Sequence, residues 1–348
     1  MTPARLAAEL ERRARDLGFD RMRIAAARAL DRDRATLESW LGAGRHAGMA
    51  WMARTAHLRA DPRRVLPDCR SVVSLAWNHG PGRAAAQPGR AAVARYARAH
   101  DYHRVLGTRL RRLAAWLAET SGAPARAFVD SGPVLERAWA EASGLGWIGK
   151  NACLITRDLG SWILLGEILS AAELEPHDGP HEELCGTCTA CLDACPTGAI
   201  VADAVVDANR CISYWTIEHR GAVPQDRRSG HGDWIFGCDV CQEVCPWNRR
   251  FGRDPERATT DSAPDLDGLD PLEILAMDEP TFRARYSGTA LMRARWDGMR
   301  RNACIVLGNR GDRSARTSLE RARRDADPVV RAHATWALER IGRRIAEA

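Results

Sequence analysis

Near its middle the chain reads Cys185-Gly-Thr-Cys188-Thr-Ala-Cys191-Leu-Asp-Ala-Cys195-Pro196. This spacing is the pattern of bacterial ferredoxins, in which three cysteines bind one iron–sulfur cluster and the fourth binds another. A second run, Cys238-Asp-Val-Cys241-Gln-Glu-Val-Cys245-Pro246, repeats the close spacing and the Cys-Pro end, and Cys211 lies between the two runs. Two four-iron clusters need eight thiolates, which these segments provide. The sequence therefore predicts a ferredoxin-like unit with two 4Fe-4S clusters.

The ferredoxin pattern also predicts how the thiolates divide, because the fourth cysteine crosses over to the other cluster. One cluster is expected to bind Cys185, Cys188, Cys191 and Cys245. The other is expected to bind Cys195, Cys211, Cys238 and Cys241. Two other uses of the cysteines fit less well. A zinc site would not require the Cys-Pro ends, and disulfide frameworks are typical of small secreted domains. The remaining cysteines, Cys69, Cys153 and Cys304, are predicted to be small buried hydrophobic residues.

Composition and targeting signals suggest a cellular compartment. The first 16 residues alternate Arg and Glu with Ala and Leu, and they contain neither the apolar stretch of a signal peptide nor a twin-arginine signal. The sequence has no run of about 18 apolar residues that could span a membrane. Because cluster thiolates also require reducing conditions, we expect a cytoplasmic protein without a membrane segment.

Basic residues are used unevenly. Among 51 basic residues, Lys150 is the only lysine, and all the others are arginine. Lysine is a compact donor on a flexible stem, whereas arginine is a planar fork, so a tight polar site can require lysine. We therefore predict a binding role for Lys150; the alternative is that a single lysine has persisted by chance.

Strand and helix patterns alternate up to about residue 175, which predicts an α/β domain. Helices are expected at 3–17 and 101–120, and strands at 21–27, 71–77, 127–130 and 160–169. Asp130 ends one of these strands, just before Ser-Gly-Pro. A carboxylate there is well placed for chemistry, but it is equally well placed to cap a helix over 134–143. Position alone favours neither interpretation.

The C-terminal region is helical in pattern and basic. From Phe282 onward it has 16 Arg against seven Asp or Glu, and an offset of 31 residues aligns Arg300 with Arg331. This weak repeat resembles a HEAT repeat. A solvated helix face is one interpretation of the charge. A nucleic-acid surface, with Arg300, Arg301 and Arg331 among its contacts, is the favoured one.

The predicted fold class is α+β with three units. An N-terminal α/β domain spans 1–178, and a two-cluster bacterial ferredoxin-like domain spans 179–252. A linker at 253–270 leads to basic HEAT-like helices at 271–348.

Motifs outside the cysteine runs carry a family resemblance. In order, the chain contains Arg95-Tyr-Ala-Arg-Ala-His-Asp101-Tyr102-His103, Val129-Asp130-Ser-Gly-Pro133, Gly146-Trp-Ile-Gly-Lys150-Asn151, Gly160-Ser161-Trp-Ile-Leu-Leu-Gly166-Glu167 and Cys211-Ile-Ser213-Tyr-Trp-Thr216. Together with the cysteines, these motifs resemble epoxyqueuosine reductases over nearly the whole chain. The resemblance implies reduction of the epoxide of epoxyqueuosine, at the wobble position of a tRNA with a GUN anticodon, to give queuosine.

The resemblance also implies cofactors and partners. Cobalamin is expected between the α/β domain and the clusters, as in the related reductive dehalogenases. The sequence lacks the Asp-x-His-x-x-Gly arrangement that supplies a lower cobalt ligand in some cobalamin proteins, so base-off cobalamin is expected. An external electron donor of the flavodoxin or ferredoxin type is expected, and so is a monomer.

Residue roles follow from the same motifs. Asp130 is implied as the proton donor to the epoxide oxygen, with a pKa raised by burial beside the cofactor. The implied cobalamin contacts are Arg59, Asp130, Lys150, Asn151, Ser161, Glu167, Ser213, Thr216 and Gln242. Two other functions stay open: a dehalogenase-like reductase of small molecules, and a non-enzymatic electron-transfer module.

Overall fold

The computed structural model describes residues 1–80, 89–177, 179–251 and 266–346. Its N-terminal part contains a four-stranded sheet in the order β1 (Arg21–Ala26), β2 (Ser71–Asn78), β7 (Ile163–Ser170) and β4 (Ala125–Phe128). This part of the chain contains both helices and strands, as predicted. All neighbouring strands are antiparallel, however, rather than parallel as in a typical α/β domain. Alternation of strands and helices along a chain does not by itself fix strand direction.

Helices cover both faces of this sheet. The N-terminal helices are α1 (Pro3–Asp16), α2 (Asp31–Gly42), α3 (Ala50–Arg54), α4 (Ala56–Arg59), α5 (Tyr102–Ser121) and α6 (Glu136–Ala142). Apolar residues of α1 and α5, including Leu10, Leu106 and Leu110, pack on one face of the sheet. Trp139 of α6 packs on the other face with Val72. The spacing of the leucines in α5 gives it one apolar side.

The cysteine runs lie in a segment of short elements. These are α7 (Ala190–Ala194), β8 (Ile200–Ala202), β9 (Val205–Val206), a π-helix (Tyr214–Glu218), α8 (Gln225–Arg228), β10 (Trp234–Phe236), α9 (Val240–Glu243) and α10 (Pro246–Phe251). The remaining short strands are β3 (Ala92–Val93), β5 (Trp147–Ile148) and β6 (Leu154–Ile155). Because β10 pairs in parallel with β3, the cysteine segment is joined directly to the N-terminal part.

The C-terminal region contains α11 (Pro271–Ala276), α12 (Glu279–Tyr286), α13 (Arg295–Arg310), α14 (Arg316–Ala322) and α15 (Pro328–Ala346). These helices share one apolar core with residues of β3 and β10. Most of the predicted linker, 253–265, lies outside the described residues. Its end differs from the prediction, because Leu266 and Leu269 are buried in this core and Leu269 pairs with Ala91.

Two arginines predicted to contact nucleic acid are instead buried. Arg301 is 1% exposed and donates hydrogen bonds to the carbonyl oxygens of Trp215, His219 and Gly221, at 2.7–3.0 Å. Arg300 is 6% exposed and forms an ion pair with Asp325. Arg331 donates to the carbonyl oxygens of residues 325 and 326. The nucleic-acid prediction is therefore wrong for Arg300 and Arg301, since buried guanidinium groups cannot reach a polyanion.

Across the described ranges, none of the helices is both long enough and apolar enough to cross a bilayer.

Candidate active site

One group of thiols surrounds a cavity of about 280 Å³. Its lining includes Cys185, Cys188, Cys191 and Cys245. The first three come from the loop into α7 and from α7 itself, whereas the fourth lies between α9 and α10. The fold therefore brings cysteines from both runs to one place, as the ferredoxin crossover requires.

The other four thiols form a second group. Cys238 faces Cys211 and Cys195, and Cys241 faces Cys238 and Cys211. Burial raises the pKa of Cys238 to about 12, so its thiolate needs a positive charge such as a metal cluster. Within the described ranges, no three His, Cys, Asp or Glu side chains converge on a single metal ion. The spacing of the cysteines along the chain, with its crossover between the two runs, is that of ferredoxin clusters.

The crossover can be tested with one ligand from each run. We expect Cys245→Ala to lose roughly half of the bound iron and sulfide, together with the signal of only one cluster, because each cluster takes four thiolates. Iron analysis and electron paramagnetic resonance of anaerobically purified protein measure both effects. Cys69→Ala, which changes a buried thiol away from both groups, serves as the control and keeps all the iron. A Cys245→Ala protein with both clusters intact would contradict this assignment.

The three remaining cysteines have different surroundings. Cys69 and Cys304 are buried, in agreement with their prediction as small core residues. The thiol of Cys153 lies within hydrogen-bonding reach of the Cys241 thiol. Cys153 thus borders the second thiol group, which its apolar sequence neighbours did not indicate.

Asp130 lies in the turn after β4 and is held by neighbouring groups. Its backbone is left-handed, with φ of 55°, and its N–H donates to Glu136 Oε1 at 2.6 Å. The Tyr102 hydroxyl donates to Asp130 Oδ2 at 2.6 Å, and His103 Nε2 lies 3.7 Å from the same oxygen. The N-cap of α6 is Leu135, so Asp130 does not cap that helix. These contacts hold a conformation that is unfavourable for a residue other than glycine.

Neighbouring groups of the chain lower the pKa of Asp130. Its side chain is 62% exposed, and the approach of His103, whose Nε2 lies 3.7 Å from Oδ2, is the largest cause of a lowered pKa. Hydrogen bonding to Asp101, with Asp130 contributing, raises the pKa of His103 to about 9. Among the residues of the chain, a neighbouring cation outweighs desolvation at Asp130, and the upward pKa shift expected beside a bound cofactor stays a prediction. At neutral pH the proton of this pair is therefore on His103.

A buried pair of carboxyls lies behind Asp130. Glu167 on β7 is fully buried, and neither of its oxygens accepts a hydrogen bond from a described residue. Burial raises its pKa well above the ordinary value, and burial also raises the pKa of Glu136 to about 7. Arg59, which is 8% exposed, faces Glu136 and Asp130 and donates to the carbonyl oxygen of Gly132. A ligand that presents amide donors fits these unsatisfied oxygens.

The buried carboxyl predicts a pH-dependent stability. Because the pKa of Glu167 is raised on folding, its stabilising contribution is complete below the unfolded pKa. That contribution is lost as the pH rises toward the folded pKa, by about 1.4 kcal/mol per pH unit for one proton. We expect Glu167→Gln to raise the Tm of the cluster-loaded protein by roughly 5 °C at pH 8 and to change it little at pH 4.5. Glu173→Gln, at an exposed carboxylate, is the control. Equal shifts at both pH values would contradict this account.

The other predicted cofactor contacts fall into separate places. Ser161 accepts hydrogen bonds from Gln242 and from Asn248, a buried residue that sequence reasoning missed. The hydroxyl of Thr216 is already satisfied, since it donates to the carbonyl oxygen of Ile212 and accepts from the N–H of Gly237.

Lys150 and Asn151 line the first thiol cavity rather than the surroundings of Asp130. Lys150 Nζ also lies 3.5 Å from Asp203. Ser213 directly precedes the π-helix, next but one to Cys211, a predicted cluster ligand. The structure thus brings Ser161 together with Gln242, and Arg59 together with Asp130, but it does not gather all the predicted contacts around one cavity.

Three exposed arginines lie close to one another, and we call them the arginine rim: Arg220, Arg293 and Arg295. Arg293 pairs with Glu218 at 2.6 Å and is close enough to Asp130 and Tyr102 to respond to their charges. Arg220 faces both other members of the rim. Sequence reasoning missed this set because nothing in a chain so rich in arginine marks these three.

Comparisons with known proteins agree with this geometry. Residues 184–248 match the family model described as a 4Fe-4S double cluster binding domain. Residues 59–131 match the model of epoxyqueuosine reductase QueG, DUF1730. The chain is 46% identical to an epoxyqueuosine reductase of Gloeobacter violaceus over 318 residues, which are 88% of this chain and 97% of that protein.

Solved structures agree as well. An epoxyqueuosine reductase crystallised with an epoxyqueuosine-modified tRNA-Tyr stem loop has a TM-score of 0.90 and 30% identity, covering 98% of this chain and 91% of the other. The Bacillus subtilis epoxyqueuosine reductase, with its catalytic aspartate loop swung out of the active site, has a TM-score of 0.88, 30% identity and the same coverage. This chain belongs to the epoxyqueuosine reductase family.

Proposed function

We propose that this protein reduces the epoxide of epoxyqueuosine at the wobble position of a GUN-anticodon tRNA, giving the alkene of queuosine. The reaction takes up two electrons and two protons and releases the epoxide oxygen as water. The observation that carries the proposal is the position of Asp130, a carboxylate held at an open site within a fold that also carries a double-cluster unit. Asp130 protonates the oxygen as its carbon–oxygen bond breaks.

The two 4Fe-4S clusters supply single electrons, and we propose cobalamin as the third cofactor. When bound, base-off cobalamin supplies a low-valent cobalt that reduces the substrate carbon. Its proposed contacts are Arg59, Asp130, Lys150, Asn151, Ser161, Glu167, Ser213, Thr216 and Gln242. The unsatisfied carboxyl of Glu167 supports this choice, since the corrin ring carries amide side chains that can donate to it.

We infer that the second thiol group lies nearer to Asp130 than the first. Asp239, between two ligands of the second group, accepts the N–H of Arg95 at 2.7 Å. The next residue, Tyr96, contacts the ring of Tyr102, which in turn bonds Asp130. The first group lines a separate cavity open to the surface, where an external flavodoxin- or ferredoxin-type donor can approach.

Other features of the proposal rest on the family and the sequence. The C-terminal helices form a HEAT-like unit, and the domain limits at 178, 252 and 270 stay predictions. The protein acts as a monomer in the cytoplasm, where its tRNA substrate is found and its thiolates stay reduced.

The arginine rim is proposed to hold phosphates of the tRNA stem loop. We expect the double change Arg220→Gln and Arg295→Gln to weaken stem-loop binding and to reduce the slope of log affinity against log salt by about 2, one for each lost phosphate contact. Fluorescence anisotropy at several salt concentrations measures both quantities. Arg12→Gln, on the exposed face of α1, is the matched control. An unchanged salt slope in the double variant would remove the rim from the tRNA site.

The activity itself has a direct test. Protein loaded with clusters and cobalamin is mixed anaerobically with a one-electron reductant and an epoxyqueuosine-modified stem loop. The mass of the modified nucleoside is then measured by mass spectrometry. We expect the loss of one oxygen atom. Turnover of a halogenated aromatic without RNA would instead favour a dehalogenase-like enzyme, and absence of any turnover would favour an electron-transfer module.

A further inference from the structure

We propose that His103 is a positioning residue that stores a proton and passes it to Asp130, and that Asp101 keeps the imidazole charged and oriented for this transfer. The proposal deepens the function given above and rests on it.

The three side chains form a line from the start of α5 to the turn after β4. His103 Nδ1 lies 2.7 Å from Asp101 Oδ1, and its Nε2 lies 3.7 Å from Asp130 Oδ2. The imidazole stacks on the Tyr102 ring, with centroids 4.1 Å apart. Asp101 is also the N-cap of α5 and accepts the backbone N–H of His103. The helix start thus fixes both ends of the carboxylate–imidazole contact.

Charges around this line favour a proton on the imidazole. The two carboxylates raise the pKa of His103 to about 9, against the opposing effect of burial. Asp130 in turn faces Glu136, Arg137 and Arg293, besides the hydroxyl of Tyr102. The His103 side chain is 42% exposed, so water can replace its proton between turnovers.

The stoichiometry of the reaction gives this stored proton a use. Converting an epoxide to an alkene and water consumes two protons at one oxygen, together with the two electrons that the external donor supplies. Asp130 is ionised at rest, so each proton that it gives to the oxygen must first reach its carboxylate. The Nε2–H of His103 supplies that proton as the carbon–oxygen bond breaks, leaving a neutral imidazole that Asp101 still orients, and water protonates the imidazole again for the second proton.

The relay can be tested by measuring single-turnover rates as a function of pH, with enzyme that carries both clusters and cobalamin. We expect the single-turnover rate of the wild type to fall as the pH rises through about 9, where His103 loses its proton. His103→Gln keeps a hydrogen-bond donor near Asp130, but its amide cannot take up and release a proton. Its single-turnover rate at pH 7 should fall on the order of 100-fold, and the decrease of the rate near pH 9 should disappear from its pH profile. His100→Gln, at an exposed histidine in the same segment, is the matched control.

A second measurement follows the proton without requiring activity. Diethylpyrocarbonate modifies only neutral imidazole, so peptide mapping of the holoenzyme gives the pH of half-modification at His103. We expect it near 9 in the wild type. It should fall by at least one pH unit in Asp101→Asn, which keeps the helix cap but removes the charge.

The two measurements separate the relay from the proposed function. A wild-type rate and pH profile in His103→Gln, or half-modification of His103 near 6.5, would overturn the relay. If the wild type is inactive on the stem loop, the proposed function fails, and the relay that rests on it fails too, whatever the modification profile.

Discussion

Asp130→Asn is expected to lower the single-turnover rate of epoxide reduction by roughly 100- to 10,000-fold, the range that a positioned general acid contributes. The amide can still accept the Tyr102 hydrogen bond and fills the same space, so the turn after β4 stays in place. What it loses is the acidic proton for the leaving oxygen. Rapid-quench measurements with a loaded enzyme and a modified stem loop give the rate directly.

The same variant must be shown to be otherwise intact. Iron content, cobalamin binding by visible absorbance and affinity for the stem loop should all match the wild type. Tyr102→Phe provides a graded comparison, because it removes one hydrogen bond to Asp130 and leaves the carboxyl in place. We expect its rate to fall by roughly 10-fold, about the worth of one hydrogen bond to a charged group. A wild-type rate in Asp130→Asn would remove Asp130 from the role of acid.

The double-cluster unit could be predicted from the sequence almost completely. Ligand spacing in ferredoxins is local, so the run from Cys185 to Cys195 indicates the chemistry without any three-dimensional information. Even the distant member, Cys245, follows from the crossover rule, and the structure places it in the cavity of the first three cysteines.

The charge state of the candidate acid could not be predicted in this way. Burial alone would raise the pKa of Asp130, but the direction is decided by His103, which approaches from another element. The hydrogen bond from the Asp130 N–H to Glu136 could not be predicted from the sequence either, since a glutamate at the start of a helix usually faces water. Such pairings depend on how α5 and α6 pack against the sheet.

The C-terminal arginines illustrate the opposite error. A surplus of positive charge indicates a surface only when the charges are exposed, and composition does not report exposure. Arg300 and Arg301 occupy adjacent positions in α13, and both are buried against other elements. The exposed arginine shown close to Asp130 is instead Arg293, in the short helix before α13, where no local pattern distinguishes it.

Arg301→Met is expected to destabilise the protein by about 3–5 kcal/mol, the cost of removing a buried charged group that holds several partners. The guanidinium satisfies the carbonyl oxygens of Trp215, His219 and Gly221, which lie in or just after the π-helix between the two cysteine runs. Burial lowers its pKa to about 10, so it remains charged at neutral pH. Methionine fills similar space but provides none of these donors.

This change should lower the Tm of the loaded protein by roughly 10 °C, and it should loosen the segment that begins at Cys211. Faster loss of the second cluster in air, followed by absorbance, would report that loosening. Arg301→Lys keeps the charge but not the planar fork, so an intermediate loss is expected. Arg316→Met, at an exposed arginine of α14, controls for charge alone. If Arg301→Met weakened tRNA binding while leaving Tm and cluster lifetime unchanged, Arg301 would be a nucleic-acid contact rather than a clamp on the cluster segment.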